Sequence, residues 1–482
     1  MTEPRIYTPH EYQHEGHVFL SDVPRAALWM PMGFGKTVTV LTFLKLLQRY
    51  ADEGPAIIFA PKRVALSTWP AEVRKWKHLQ DFRVVPVIGT PKQREAALRE
   101  RADAYTINYE NIPWLFEHLT RLRCGWPFKN VVCDEATRLK SMRPSMQVSK
   151  LGNEFVRTGG GSKRARELAR VAHTKHVRRW INLTGTPAPN GLQDLWAQVW
   201  FQDAGERLGR TYTGFERRWF QWTQAGDNQF ARKLTPLPFA QEQIQDRVRD
   251  ICISFRAEDY FDLKKPMVVP VYVDLPAKAM RHYQEMQREL FTQIAEHEID
   301  ASNAAAKSSK LLQMAAGAVW VDREKGVWTE VHDAKLQALE SIIEEAAGSP
   351  VLVQYHWQPD LARILKKFPQ ARFLDDDPRT EDEWRAGKIP VLVAHAKSCG
   401  HGLNLQEGGH ILARYSYDWS LELWDQILER IGPMRQMQSG FDRVVREYRI
   451  IARSTIDELV IVRHETKRET QDILMEAARA RK

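Results

Sequence analysis

Residues Met32-Gly33-Phe34-Gly35-Lys36-Thr37 stand between an apolar run, Ala26-Ala27-Leu28-Trp29-Met30, and a stretch from Val38 to Tyr50 whose Val38, Leu41, Leu44 and Leu47 recur near helical spacing. A strand before the glycine turn and a helix after it are the context a phosphate-binding loop requires. With the strand–helix alternation that runs through the first third of the chain, this segment reads as part of an α/β fold with a doubly wound parallel sheet. Gly33 and Gly35 let the backbone curl until successive N–H groups point inward as an anion nest. Lys36 adds a point charge for β- and γ-phosphates, and the Thr37 hydroxyl can ligate Mg²⁺. The helix that follows adds the positive end of its dipole. Further along, the apolar run Asn130-Val131-Val132-Cys133 ends in Asp134-Glu135. Such a loop needs a carboxylate to hold the metal and another to orient or deprotonate the attacking water. Together the two segments imply hydrolysis of a nucleoside triphosphate.

The alternation continues on both sides of them. Strands are predicted at Ala56–Ala60, Val84–Ile88, Tyr105–Ile107 and Trp180–Leu183, with a helix over Ser67–Lys77. The last of these strands delivers Thr184-Gly185-Thr186-Pro187, so functional residues recur at strand C-termini, where parallel sheets bind ligands. From Gln193 to Phe261 the pattern turns helical and aromatic, without strand alternation. Met267–Val273 reads as a strand and Ala277–Gly317 as a long helical stretch. Alternation resumes near Lys335, with strands at Val351–Tyr355, Val391–Ala394 and His410–Leu412 and a helix over Leu361–Lys367. The expected domains are a first lobe at 1–200 with a basic insertion near 145–178, a helical aromatic-rich linker at 201–265, a second lobe at 266–462 with a helical insertion at 277–325, and a charged C-terminal helix at 463–482.

The formal charge of +9 favours a polyanionic partner. In the insertion, Gly159-Gly160-Gly161 is followed by Lys163, Arg164, Arg166, Arg170, Lys175, Arg178 and Arg179, which reads either as a solvated face or as a DNA contact. Sixteen tryptophans is a high count, and Trp196, Trp200, Trp219 and Trp222 are read first as core aromatics and second as base-stacking groups. Cys124, Cys133, Cys252 and Cys399 lack metal-ligand spacing, which predicts reduced thiols. The polar start of the chain and the lack of a membrane-length apolar run predict a soluble, cytoplasmic protein.

The motifs in their order resemble a superfamily 2 helicase-like ATPase of the Swi/Snf type, related to the DEAD/DEAH-box proteins, and the compact length looks like its phage or bacterial members. Tyr12-Gln13 sits where that family reads adenine. Met32 to Thr37 is similar to its MGxGKT form of motif I, Ala60-Pro61-Lys62 with Trp69 and Trp76 to motif Ia, and Asn108-Tyr109-Glu110 to the next DNA-contact motif. Asp134-Glu135-Ala136-Thr137 resembles motif II, and Leu183-Thr184-Gly185-Thr186-Pro187 motif III. In the second half, Lys335-Leu336 resembles the entry to lobe two. Gly400-His401-Gly402-Leu403-Asn404-Leu405 is similar to motif V, Asp418-Trp419, Gln426, Arg430 and Arg435-Gln436 to motif VI, and Ser454 to Glu458 to the closing stretch.

The resemblance implies two RecA-like lobes in tandem with ATP and Mg²⁺ in the cleft between them. Gln13, Gly33, Phe34, Gly35, Lys36 and Thr37 would bind nucleotide, and Thr37 and Asp134 would hold the metal. Lys36, Glu135, Gln426, Arg430 and Arg435 would carry catalysis, while Thr137, Thr184, Gly185, Thr186 and Gly402 would couple it to movement. Lys62, Tyr109, Lys397, Asn404 and Trp419 would contact nucleic acid. The partner implied is double-stranded DNA, gripped without sequence preference by a protein monomeric on it, and no membrane. The activity implied is a DNA-stimulated ATPase that translocates on or remodels duplex DNA. A strand-separating helicase or restriction-type motor, and a non-hydrolysing nucleic-acid scaffold, are the alternatives. Three departures stand out, the first being that the basic insertion lengthens the segment between motifs II and III. Thr137 replaces the usual histidine of motif II, and Pro433 falls where motif VI has its second arginine, which here is displaced to Arg435.

Overall fold

The structure is a computed structural model that describes residues 3–31, 33–51, 53–142, 145–148, 155–158, 162–224, 232–296, 301–375, 377–399 and 403–479. The chain forms two compact units. The first comprises Met1–Trp222, Leu234–Phe261 and Glu469–Lys482, and the second Thr223–Lys233 and Asp262–Arg468.

The first unit is built on seven strands: β1 (Arg25–Trp29), β2 (Ala56–Ala60), β3 (Val84–Pro86), β4 (Ala104–Asn108), β5 (Asn130–Asp134), β6 (Arg179–Thr184) and β7 (Cys252–Ser254). Their order is β7-β1-β6-β5-β2-β4-β3, and every pair is parallel. All five residues of β2, β4 and β5 are buried, because helices cover both faces of a parallel sheet and leave no polar side. Helix α1 (Glu11–Asp22) precedes β1 and α2 (Lys36–Ala51) follows it. Trp29, Trp196, Phe215 and Trp219 meet in one core cluster, and Ile57, Phe59, Tyr109 and Trp180 in another. The parallel α/β class expected for this lobe is what forms.

The aromatic stretch, in contrast, is not free of strands. Cys252 to Ser254 adds β7 to the sheet edge, with Ala27 opposite Cys252 and Trp29 opposite Ser254. Three residues are too few to display a period, so this strand is invisible to pattern reading. The helix expected over Ser67–Lys77 is a π-helical turn at Val64–Thr68 running into an α-helix at Trp69–Lys75.

The second unit carries six parallel strands: β8 (Met267–Val273), β9 (Val351–Tyr355), β10 (Ala371–Phe373), β11 (Val391–His395), β12 (Ile411–Arg414) and β13 (Arg446–Ala452), in the order β8-β13-β12-β9-β11-β10. Between β8 and β9 lie helices at Ala277–Glu296 and Ala301–Ala316. An antiparallel hairpin of Ala318–Asp322 and Val327–Glu330 follows, where the sequence suggested helix to residue 325.

Two buried cations of this lobe, Lys335 and Arg414, are paired with carboxylates. Lys335 Nζ lies 2.5 Å from Asp457 Oδ2, with both side chains at most 1% exposed, and it donates to the Tyr415 carbonyl at 3.2 Å. The segment that opens the lobe and the one that closes it are thus joined by a buried ion pair. Arg414 pairs with Glu447, donates to Gln354 Oε1 at 2.6 Å and lies over the Trp424 ring at 3.8 Å. Among the described residues no helix is long and apolar enough to cross a membrane.

Candidate functional site

The glycine loop leaves the C-terminal end of β1 and ends where α2 starts at Lys36. Gly33 has φ +85° and Gly35 φ +73°, the left-handed values that an inward-curling loop requires. A Cβ on Gly35 would sit 2.5 Å from Gln13 Nε2, so the glycine is also needed for close approach. Gln13, 4% exposed, donates from that nitrogen to the Phe34 carbonyl at 3.1 Å. Its Oε1 accepts from the Tyr7 hydroxyl at 3.1 Å and from the His10 N–H at 3.0 Å. Gln13 therefore fastens α1 to the loop. Lys36 Nζ donates to the carbonyls of Met30 at 2.8 Å and Pro31 at 3.4 Å, folded back over the nest it borders.

The sheet register brings the other expected groups to the same edge. Trp29 of β1 stands opposite Thr184 of β6, and Leu183 of β6 opposite Asp134 of β5. The Met30 N–H donates to the Thr184 carbonyl at 3.0 Å, tying the start of the loop to the threonine turn. The Thr184 hydroxyl accepts from the Thr186 N–H at 3.0 Å. Gly185 leaves little space, since a Cβ there would lie 3.2 Å from the Met30 carbonyl and 3.7 Å from Lys36 Nζ. Burial raises the Asp134 carboxyl above its ordinary range, opposed by the Lys36 charge and by the Trp69 indole, whose N–H donates to Oδ2 at 3.0 Å. Glu135, 6% exposed, adopts φ +56°, a left-handed conformation that costs a non-glycine residue of order 1–3 kcal/mol and clusters at functional sites. Thr137 is fully buried, and its hydroxyl finds no hydrogen-bond partner among the described residues.

The arginines lie in the second unit. Helix α3 (Leu421–Glu429) is capped by Arg430, which is 2% exposed. Gln426 on the same helix donates to Glu422 Oε1 one turn earlier at 3.2 Å. Pro433 is the first residue of a new short helix, α4 (Pro433–Gln438), so the chain stops after Arg430 and restarts. The restart carries Arg435 to the 403–404 segment, where Nη1 donates to Asn404 Oδ1 at 2.8 Å and the Leu403 carbonyl at 3.4 Å. Burial pulls its guanidinium below the ordinary value, with Glu429 and Glu381 acting the other way. Gly402, the remaining coupling candidate, and Met32 lie outside the described residues.

Of the expected nucleic-acid contacts, Lys62, Lys397 and Asn404 are exposed and Trp419 is half-buried, with its carbonyl accepting from Lys467 Nζ at 2.9 Å. Tyr109 departs from the expectation. It is 1% exposed and its hydroxyl donates to the Asp134 carbonyl at 2.9 Å, so it is a prop under the acidic strand end and not a surface group. A motif fixes where a residue lies along the chain but not how deep it sits.

Sequence reasoning missed the role of Trp69 as donor to Asp134, and it missed an aromatic cluster beneath the loop. Phe34, fully buried, lies 4.5 Å from Tyr12 and 6.0 Å from Phe261, while Tyr12 lies 5.1 Å from Tyr260. The recurring aromatics at 255, 260 and 261 were the available signal.

The SNF2-related domain model matches residues 13–153. The protein p41 of Acyrthosiphon pisum secondary endosymbiont phage 1 is 49% identical over 475 residues, covering 98% of this chain and 99% of that one. The SWI/SNF-related matrix-associated actin-dependent regulator of chromatin subfamily A member 1 of Mus musculus is 24% identical over 93% of this chain, which spans 41% of that protein's length. Among solved structures, a Sulfolobus solfataricus SWI2/SNF2 ATPase core in complex with dsDNA aligns over 100% of this chain and 96% of its own, with TM-score 0.43 and 19% identity.

Proposed function

The chain belongs to the SNF2-related family of helicase-like ATPases, and from that premise we propose that it is an ATP-driven motor that moves along or remodels duplex DNA. The observation that carries this reading is the convergence of the glycine loop, Asp134-Glu135 and the Thr184–Thr186 turn on neighbouring strand ends of one parallel sheet. A hydroxyl oxygen from Thr37 and a carboxylate from Asp134 are hard oxygen donors suited to Mg²⁺, which leaves coordination places for phosphate and water. Bound there, the ion supplies neutralisation of phosphate charge.

Lys36 exchanges its two backbone carbonyls for phosphate oxygens, so the free loop holds the lysine in place at little cost. The raised Asp134 carboxyl gains from a cation, because a partner of opposite charge offsets the desolvation of a buried carboxylate. Glu135, held in its strained conformation at the strand end, orients the attacking water and receives its proton. Arg430 is the proposed arginine finger, a role worth about 10³–10⁵ in rate where one acts. Arg435, bound to Asn404, is assigned to positioning the 403–404 segment. DNA contact through Lys62, Lys397, Asn404 and Trp419 would be a backbone grip, which is sequence-independent and weakens steeply with salt.

The test is ATP turnover by wild type and Glu135→Gln, each with and without duplex DNA. Duplex should stimulate wild type, and Glu135→Gln should keep nucleotide binding while losing about 10²–10⁴ in turnover. Wild-type turnover indifferent to DNA would refute the motor.

A further inference from the structure

Asp134 is the carboxylate assigned to the metal, and its place is fixed from several directions. Its backbone ends β5, opposite Leu183 of β6. The hydroxyl of Tyr109, the residue after β4, donates to its carbonyl at 2.9 Å. These contacts hold the main chain and leave the side chain to turn. The Trp69 indole restricts that turn: its N–H donates to Oδ2 at 3.0 Å, with Trp69 fully buried and Asp134 7% exposed. Trp69 begins the helix Trp69–Lys75 directly after the π-helical turn Val64–Thr68. That turn is itself tied to β4, since the Thr106 hydroxyl donates to the Ala65 carbonyl at 2.6 Å and both residues are fully buried. All of these residues belong to the first unit.

We propose that Trp69 is a positioning residue for the metal: its indole N–H holds the Asp134 carboxylate in the orientation that binds Mg²⁺. An indole has a single donor and no acceptor. It can therefore secure one carboxylate oxygen without adding charge. A lysine or arginine in its place would neutralise the carboxylate and oppose the cation. Once the carboxylate is ionised the bond is charge-assisted, and so stronger than one between neutral groups. Hydrogen bonds to metal-ligating carboxylates set the orientation of the ligand, and losing one typically costs about 10- to 100-fold in metal affinity or activity. A bond that served only the fold would change thermal stability and leave the dependence on metal where it was.

This rests on the reading that Asp134 holds Mg²⁺ beside a nucleotide but not on movement along DNA, so the test contains no DNA and reads binding instead of turnover. Anisotropy follows a fluorescent ATP analogue on the full chain as Mg²⁺ is titrated, and again in EDTA. Trp69→Phe keeps an aromatic ring and removes the donor. It should raise the Mg²⁺ concentration for half-maximal binding about 10- to 100-fold. Binding in EDTA should stay at the wild-type level, and saturating Mg²⁺ should restore the wild-type signal. Because Trp69 is fully buried and phenylalanine is smaller, a second variant, Trp69→3-benzothienylalanine, replaces the indole N–H by sulfur and keeps the ring shape. It should show a shift of the same size. Wild-type metal dependence in that isostere would overturn the proposal. So would an equal loss with and without metal, which would make Trp69 a support of the whole site. Wild-type binding that ignores Mg²⁺ would instead overturn the metal reading on which the proposal stands. Loss of duplex stimulation in wild type, measured separately, would count against the motor and not against Trp69.

Discussion

Gly35→Ala tests whether the loop is held in place by Gln13. The new Cβ would lie 2.5 Å from Gln13 Nε2, well inside contact distance, so the amide must move away. Moving it breaks the bond to the Phe34 carbonyl and disturbs those from Tyr7 and His10. A buried polar group left unsatisfied costs about 1–3 kcal/mol. Holding alanine at φ +73° costs about 1–2 kcal/mol more. The empty loop can relax to escape both costs, so they reappear when nucleotide binding restores the curl. A combined cost of about 3 kcal/mol corresponds to a loss of roughly 100-fold in affinity. Titration with a fluorescent ATP analogue reads it. The decisive measurement is the double-mutant cycle with Gln13→Ala. Removing the amide makes room for the new methyl group, so the double variant should be weakened by about 1–2 kcal/mol less than the two single losses taken together. Effects that add to within about 0.5 kcal/mol would refute the reasoning, because the two residues would then not share a contact.

Asp360 is buried and its carboxyl is raised from 3.8 to about 6 by burial. The folded state then holds its proton more tightly than the unfolded one, so this group's contribution falls as pH rises from about 4 to 6. Asp360→Asn should therefore be more stable than wild type above pH 6, by up to about 3 kcal/mol, with the difference vanishing near pH 4; denaturant titrations across that range measure it. Lys335→Met leaves Asp457 buried without its partner and should destabilise the second unit by about 3–5 kcal/mol in calorimetry, with part of the loss recovered on adding Asp457→Asn. Thr137→Val replaces a buried hydroxyl that has no partner among the described residues with a methyl of similar size. Its thermal midpoint should equal or exceed wild type with basal ATP turnover retained, and a lower midpoint would mean that the hydroxyl is bonded.

The central strands were legible because a parallel sheet buries both faces. Ala56–Ala60 and Val351–Tyr355 are unbroken apolar or aromatic runs except for Gln354, and they form strands with those bounds. The loop and acidic pair were legible because their chemistry dictates residue type at fixed offsets. Depth was not. Tyr109 and Lys62 both stand in motifs that suggest contact with nucleic acid, yet Tyr109 is buried and Lys62 exposed, and nothing in their immediate neighbours distinguishes them. Partnerships across long separations were equally silent. Trp69 and Asp134 meet through the β2–β5 neighbourhood, and Lys335 meets Asp457 across almost the whole second unit. The break in motif VI was legible as an anomaly at Pro433, but its result, Arg435 bound to Asn404, depends on a loop that the sequence places elsewhere.

The aromatic cluster bears on how nucleotide occupancy can be felt beyond the loop. Phe34 lies between the two glycines whose left-handed backbone makes the nest, and it has no exposure to solvent. Its neighbours are Tyr12, on the helix that also supplies Gln13, and Phe261, the last residue of the first unit before the second begins at Asp262. Close-packed side chains do not deform continuously; a shift of one ring must be taken up by its neighbours. Among the described residues two aromatic rings border Phe34, that of Tyr12 and that of Phe261. On the Tyr12 side the Gln13 amide is held by three hydrogen bonds, with the Tyr7 hydroxyl, the His10 N–H and the Phe34 carbonyl. Phe34 of the phosphate loop thus meets the Phe261 ring directly, and Phe261 is one peptide bond from Asp262, where the second unit's segment begins.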